Sequence, residues 1–425
     1  METSIAGYHG NMPYIPRTVD SQLEHLLSIA GGIEITGPRG CGKTETALQV
    51  SKSVVRLDLE NAKATTAQHA PQLILQGETP QLLDEWQVVP NLWNAVRHEI
   101  DKRSQRGQFI LTGSAMPEDD PHRHSGAGRI MGLRMRTMSL HETGHSTGAV
   151  SLSALLRGED IDPTIGNAEF LDVVNRLVSG GFPGWFDLPP DDAQLRAMDW
   201  LEQIVNRDLP QVLGSSRNPQ LIAEYLRALS QMIAQPAKFA AIARRLPSER
   251  LGPIPQAAPS EIHRLLERAF VVDDLPAWSP KLRTASTAAT APVRYLADPS
   301  LAAAALRAST ERLLADLRTL GFLFEAQVAH DLRVYSPRDA RGVFHYRDMK
   351  GRDEIDVVVE AGDGSWIGFE VKLSADVADD AAAKLLAVAA KMERPATALG
   401  IIVPDGPAYR RDDGVYVLPL TTLGP

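Results

Sequence analysis

The chain has 425 residues, 44% of them hydrophobic and 23% charged, with a formal net charge of −9. That length is too great for one core and predicts two to four globular domains. The charge argues against a nucleic-acid binder as a whole, without excluding one basic module. The single cysteine, Cys41, excludes an internal disulfide and a cysteine-based zinc site. The first residues lack the basic-then-apolar run of a signal peptide. No apolar stretch approaches the roughly 18 residues of a membrane span. A cytoplasmic chain without membrane contact is therefore expected.

In chain order, Tyr14-Ile15-Pro16-Arg17 reads as extended. Val19, Leu23, Leu26 and Leu27 predict a short amphipathic helix. Arg17 reads either as a nucleotide contact or as a solvated surface charge, and surface exposure is the commoner fate of arginine. Gly32–Thr36 is short and β-branched and predicts a strand. The next eight residues are Gly37, Pro38, Arg39, Gly40, Cys41, Gly42, Lys43 and Thr44. They match the phosphate-loop pattern G-x-x-x-x-G-K-[ST] in full, with a predicted helix over Glu45–Val50 behind them. The glycines let backbone N–H groups turn inward toward phosphate. Lys43 would reach the β- and γ-phosphates of ATP, and the Thr44 hydroxyl would hold Mg²⁺.

Val54–Leu59 predicts a second strand, and Gln81–Glu85 a short apolar run closed by two acids. Asp84 would hold Mg²⁺ with Thr44, and Glu85 would polarise the attacking water. Gln108–Ser114 predicts another strand with a polar tip. Thr112 and Ser114 are candidate contacts to the γ-phosphate or the water; an ordinary turn is the other reading. An arginine-dense segment follows, holding arginines at 123, 129, 134 and 136. Arg129 is the candidate arginine finger, in cis or on a neighbouring subunit of a homo-oligomer. Its alternative is a structural salt bridge.

Residues 13–145 resemble the AAA-type ATPase domain of a widespread prokaryotic family that joins this ATPase to a C-terminal domain of uncharacterised function. The resemblance rests on Tyr14–Arg17, Gly37–Thr44, Asp84-Glu85-Trp86-Gln87, Leu111-Thr112-Gly113-Ser114-Ala115 and Gly128-Arg129. Family members often carry proline near position 137, where this chain has Thr137.

Residues 146–235 read as a helical connector, with helical periodicity in Phe170–Val178 and Trp200–Val205 and a turn at Gly180–Trp185. His141, Glu142 and His145 lie close in sequence, and surface positions are favoured for them over a metal site. Residues 236–304 predict helix, turn, helix and strands, the order of a winged helix. Between 236 and 294 there are nine Lys/Arg and five Asp/Glu, so +4 against the acidic trend. His263, Arg264 and Arg268 are expected on the outer face of the second helix, where DNA contact is one reading and a packing module the other. Thr284–Pro292 reads as a flexible loop of low complexity.

Residues 305–425 predict an α/β domain. A helix over Arg312–Leu332 carries Glu325. A strand at Phe344–Arg347 and a hairpin carry Asp356, Glu370 and Lys372. Alternation places Glu370 and Lys372 on one strand face. This arrangement resembles the PD-(D/E)XK nuclease superfamily through Glu325, Asp356, Glu370 and Lys372. The resemblance implies that the three carboxylates hold Mg²⁺ or Mn²⁺ and that Lys372 positions water or neutralises charge.

The expected fold class is α/β. The expected domains are an AAA-type phosphate-loop ATPase domain (1–145), a helical connector (146–235), a winged-helix-like module (236–304) and a PD-(D/E)XK nuclease-like domain (305–425). The expected function is an Mg²⁺-dependent ATPase coupled to a nuclease acting on DNA or RNA. The alternative is an ATP-controlled switch or scaffold that binds nucleic acid or protein and cuts nothing.

Overall fold

The computed structural model describes residues 13–115, 125–210, 217–279, 291–336, 340–349 and 351–425. Arg123 and most of the low-complexity stretch 284–292 lie outside these residues. The chain divides into two compact units. The first runs to Met135 and adds Phe182–Phe186 from far downstream; the second holds Arg136–Gly181 and Asp187–Pro425.

The first unit is built on five strands: β1 Gly32–Thr36, β2 Ser53–Arg56, β3 Gln81–Asp84, β4 Phe109–Gly113 and β5 Ile130–Arg134. All pair in parallel in the order β2-β3-β4-β1-β5. Parallel strands bury both faces, so their sequences run as continuous apolar stretches. Leu83 and Leu111 point into one core with Trp86, Trp93, Val96 and Ile100. Their chain neighbours Leu82 and Ile110 point into the opposite core with Leu23, Leu26, Ile33 and Ile35. The helix Val19–Ile29 buries Leu23, Leu26 and Leu27, three of the four positions that predicted it. The strand β5 was hidden by the arginine-dense segment around it, with Arg129 before it, Arg134 at its end and Arg136 beyond. It takes its place by pairing Ile130–Arg134 with β1.

In the second unit the short strand Val150–Ser151 and helix Leu152–Leu156 come before two helices packed on one another, Phe170–Ser179 and Pro190–Gln203, and a π-helical turn follows at Ile204–Asp208. Helices Phe239–Ala243 and Ala258–Arg268 follow, with isolated bridges Leu275–Val293 and Val272–Leu296 beside them. The helix expected over Arg312–Leu332 is two helices, Thr310–Ala315 and Leu317–Tyr335. The break falls at Asp316, whose carboxylate caps the second helix by accepting from Thr319 N (3.2 Å).

The C-terminal sheet of this unit has seven strands. β6 Val150–Ser151 lies outside it, paired with β14 Leu423–Gly424. The seven are β7 Thr164–Ile165, β8 Ala340–Arg347, β9 Glu354–Ala361, β10 Trp366–Val371, β11 Ala398–Val403, β12 Pro407–Arg410 and β13 Tyr416–Pro419. Their order is β7-β12-β13-β11-β10-β9-β8. β8, β9 and β10 form an antiparallel meander, and β11 joins β10 in parallel after the crossover helix Ala378–Ala389.

Candidate functional site

β1 delivers the chain into the phosphate loop. A Cβ on Gly37 would stand 2.2 Å from the Met135 carbonyl oxygen, so only glycine fits there. Gly42 takes φ 104°, a conformation that side chains oppose. Lys43 is buried, and its Nζ donates to the carbonyls of Gly37 (3.0 Å) and Pro38 (2.9 Å). Its ammonium therefore stands against the start of the loop that its own helix closes. Arg39 and Gly40 are exposed on the outside of the curl.

Thr44 Oγ1 donates to Asp84 Oδ1 at 2.7 Å, and Thr112 Oγ1 donates to the same oxygen at 2.5 Å. Burial pushes the Asp84 carboxyl above its ordinary range, and the two hydroxyls partly offset that push. Glu85 N donates to Thr112 Oγ1 at 3.2 Å. Glu85 itself adopts φ 53°, ψ 47°, the left-handed region that a non-glycine residue seldom occupies. Its Oε2 accepts from Ser114 Oγ (2.9 Å) and from Gln87 Nε2. Thr44, Asp84, Thr112, Glu85 and Ser114 thus form one continuous chain of hydrogen bonds at the C-terminal ends of neighbouring strands.

Several expectations are corrected here. Arg17, favoured as a surface charge, is buried and donates from Nη1 to the Cys41 carbonyl at 2.9 Å. The side chain of Cys41 is fully buried in the core beneath the loop. Arg129 lies at the wrong end of β1 for a finger acting in cis. Its carbonyl accepts from Gly32 N (3.0 Å), whereas the phosphate loop leaves the strand at Thr36, roughly 13 Å further on. Its Nε instead pairs with exposed Asp101 at 2.8 Å. Glu142 is not a surface residue: it is buried and accepts from Ser139 N (2.9 Å) and Ser139 Oγ (3.1 Å).

One contribution was missed. Phe182 and Pro183 belong to the first unit and pack against the loop. Phe182 Cδ1 lies 4.0 Å from where a Cβ of Gly40 would be, and Pro183 Cγ 3.6 Å from where one of Gly42 would be. Phe182 is fully buried and stacks on Trp185 with centroids 4.4 Å apart. A turn some 140 residues away carries no local signal for this contact; its glycine-aromatic-proline composition is the one hint.

The second candidate site lies on the meander of the C-terminal sheet. Phe369 pairs with Val357, so the next step of the antiparallel register sets Glu370 opposite Asp356 on one face. Asp356 Oδ2 accepts from Val371 N at 2.8 Å. Lys372 Nζ pairs with Glu370 Oε1 at 2.8 Å, and Lys384 Nζ, from the crossover helix, stands 3.7 Å from the same oxygen. Glu370 Oε2 is buried with no hydrogen-bond partner among the described residues. Glu325 accepts from Tyr295 Oη at 2.9 Å. Burial and the neighbouring Glu370 charge push Asp356 up to about 7, and burial with Asp356 nearby pushes Glu325 well above the usual carboxylate range. Asp356 and Glu325, both raised and both beside the Glu370 charge, make a crowding of acids that a divalent cation would relieve.

His263, expected on an outer face, is buried. Its Nδ1 meets Tyr225 Oη at 2.9 Å and its Nε2 meets Asp274 Oδ2 at 2.9 Å. Glu267 brings a third ligand-type atom to this cluster. The Arg294 guanidinium already bonds Asp274 and stands 3.2 Å from His263 Nε2. A cation is thus built in, and the cluster reads as a structural ion-pair network. Arg264 does face solvent.

Residues 32–144 match the family described as "AAA domain". Residues 171–312 and 320–423 match two families described as domains of unknown function, DUF8612 and DUF4143. Uncharacterised proteins of Mycobacterium bovis and Mycobacterium tuberculosis are each 30% identical over 134 residues, which is 31% of this chain. The match spans 30% of the length of those relatives. A Walker-type ATPase of Pyrococcus abyssi aligns at 13% identity and TM-score 0.40, over 69% of this chain and 96% of that one. AMPPCP-bound DnaA from Aquifex aeolicus aligns at 16% identity and TM-score 0.21, over 59% of this chain and 91% of that one.

Residues 32–144 are thus similar to an AAA domain and carry the phosphate-loop pattern. Among the described residues, no helix is long and apolar enough to cross a membrane.

Proposed function

We propose that the chain is an Mg²⁺-dependent ATPase whose nucleotide site is coupled to a C-terminal, metal-dependent, nuclease-like site acting on nucleic acid. The observation that carries the ATPase reading is the hydrogen-bond chain from Thr44 through Asp84 and Thr112 to Glu85. Thr44 and Asp84 offer the hard oxygen donors that Mg²⁺ takes, and Lys43 offers charge for the terminal phosphates. Glu85 stands at the strand end beside them, where a carboxylate can orient water. Glu85→Gln should bind ATP as wild type does and lose phosphate release by roughly a hundred-fold or more. Equal phosphate release from both proteins would overturn this role.

The nuclease-like reading is supported by the order helix, three-stranded meander, crossover helix, parallel strand, with Glu325, Asp356, Glu370 and Lys372 drawn together on it. Mg²⁺ or Mn²⁺ would be held by the three carboxylates and supply a water nucleophile. The winged-helix-like reading of 236–304 rests on its two helices and flanking bridges, with exposed Arg264 available to a DNA backbone.

A second reading keeps the ATP site and makes the C-terminal unit a switch or scaffold that binds without cleaving. Lys372 and Lys384 favour it, because their ammonium groups already balance Glu370. Nucleic-acid cleavage in Mn²⁺ that is abolished by Asp356→Ala supports the nuclease. No cleavage by the wild type supports the switch.

A further inference from the structure

Gln87 has no role in the scheme above, yet its side chain touches the centre of it. Its Nε2 contacts Glu85 Oε2 and lies 3.3 Å from Ser114 Oγ. Ser114 Oγ donates to that same carboxylate oxygen at 2.9 Å. Both donors converge on Oε2, so they fix the rotation of the Glu85 carboxylate. Glu85 also sits in the left-handed backbone region that a non-glycine residue seldom occupies. The amide of Gln87 can point only one way: turned over, its oxygen would face a carboxylate. That orientation leaves Gln87 Oε1 buried with no donor among the described residues. A buried amide oxygen is costly to leave unmatched, so a donor belongs there.

We propose that Gln87 is a second catalytic residue of ATP hydrolysis, holding the attacking water through Oε1 while its Nε2 aims Glu85. The inference rests on the hydrolytic role of Glu85. In the step, the water oxygen forms a bond to the γ-phosphorus and the bond to the β–γ bridging oxygen breaks. ADP leaves with that electron pair, one water proton passes to Glu85 and on to solvent, and Gln87 neither gains nor loses a proton. The water then has two fixed acceptors, one ionised and one neutral. That suits a nucleophile that must give a proton in one direction only.

The test is single-turnover hydrolysis of ATP by the full chain with Mg²⁺, beside ATP affinity by calorimetry. Gln87→Leu keeps the volume and removes both polar contacts. It should slow hydrolysis roughly ten- to a hundred-fold, with ATP affinity changed less than about two-fold. Gln87→Asn keeps the amide but shortens its reach. It should also be slow, which separates reach from folding. In a Glu85→Gln background, Gln87→Leu should cost less than about two-fold more, because the two residues act on one water. Wild-type turnover in Gln87→Leu, a parallel loss of ATP affinity, or independent multiplication of the two defects would each overturn the proposal. If Glu85→Gln itself turns over ATP at the wild-type rate, the hydrolytic assignment of Glu85 fails, and this inference with it. If only Gln87→Leu is normal, this inference fails alone.

Discussion

Thr44 Oγ1 and Asp84 Oδ1 meet at 2.7 Å although forty positions of sequence separate them. The hydroxyl opens the helix after the phosphate loop, and the carboxylate closes β3. The sheet order sets β4 between β3 and β1, so the meeting is also braced by Thr112 from β4. Under the proposed ATPase function this oxygen pair would hold Mg²⁺ beside bound phosphates.

Asp84→Asn should therefore have two opposite effects. Burial raises the Asp84 carboxyl above its ordinary range, so its stabilising contribution is complete below the ordinary value and is lost as pH rises through the folded one. At neutral pH, without nucleotide or Mg²⁺, the asparagine variant should melt at the same or a higher temperature than wild type. Its Mg²⁺-dependent turnover should fall at least about ten-fold. A variant that melts lower and hydrolyses normally would contradict both halves.

Phe182 should behave as part of the nucleotide site although it lies outside 32–144. Phe182→Ala removes a fully buried ring and should cost about 3–5 kcal/mol in urea unfolding. Phe182→Leu should recover most of that stability. At temperatures where both variants are folded, Phe182→Ala should bind ATP more weakly than Phe182→Leu, because the loop has lost its packing partner. Equal affinity would mean that the turn only fills the core.

Arg129 is held by Asp101, away from its own phosphate loop. If it serves as a finger it serves a neighbouring subunit. Arg129→Ala should then lower hydrolysis more than ATP binding, and mixing it with Glu85→Gln protein should restore part of the turnover. Wild-type turnover by Arg129→Ala alone would remove the residue from the mechanism.

The acids of the C-terminal sheet predict a pH dependence. Asp356 is raised to about 7 by burial and by Glu370, with Glu354 adding and the Val371 amide and Lys372 opposing. An acid with a raised value stabilises fully below its unfolded range and loses that contribution as pH climbs toward 7. Without divalent ions, wild type should lose melting temperature between about pH 4 and pH 7 relative to Asp356→Asn. Mn²⁺ should return that loss at pH 7 in wild type and do much less in Asp356→Asn. Indifference of both proteins to Mn²⁺ would argue for the scaffold reading.

Much of the nucleotide site was legible because its chemistry is local. Gly37–Thr44 must be contiguous to curl around phosphate, and Gln81–Asp84 and Phe109–Gly113 announce themselves as buried strands. The hairpin carrying Asp356 and Glu370 was legible for the same reason: period two and a Gly-Asp-Gly turn set its register. Arg17 was not, because its burial depends on a carbonyl twenty-four residues away. β5 was not, since Arg129, Arg134 and Arg136 crowd its short run Ile130–Leu133 and only pairing with β1 supplies the reason for it. His263 was misjudged because helical spacing gives a face, and what covers that face is decided by Tyr225 and Arg294 from distant segments. Phe182 belongs to the same class: a turn tells nothing of the loop it will support.

The central claim is that the loop at 37–44 holds ATP through Lys43. Calorimetric titration of ATP with Mg²⁺ into wild type and Lys43→Ala tests it most directly. Among the described residues Lys43 bonds only carbonyls of its own loop, so the variant should remain folded by circular dichroism. It should nevertheless lose at least about ten-fold in ATP affinity, the scale of one charge-assisted hydrogen bond. Unchanged ATP affinity in folded Lys43→Ala protein would contradict the assignment.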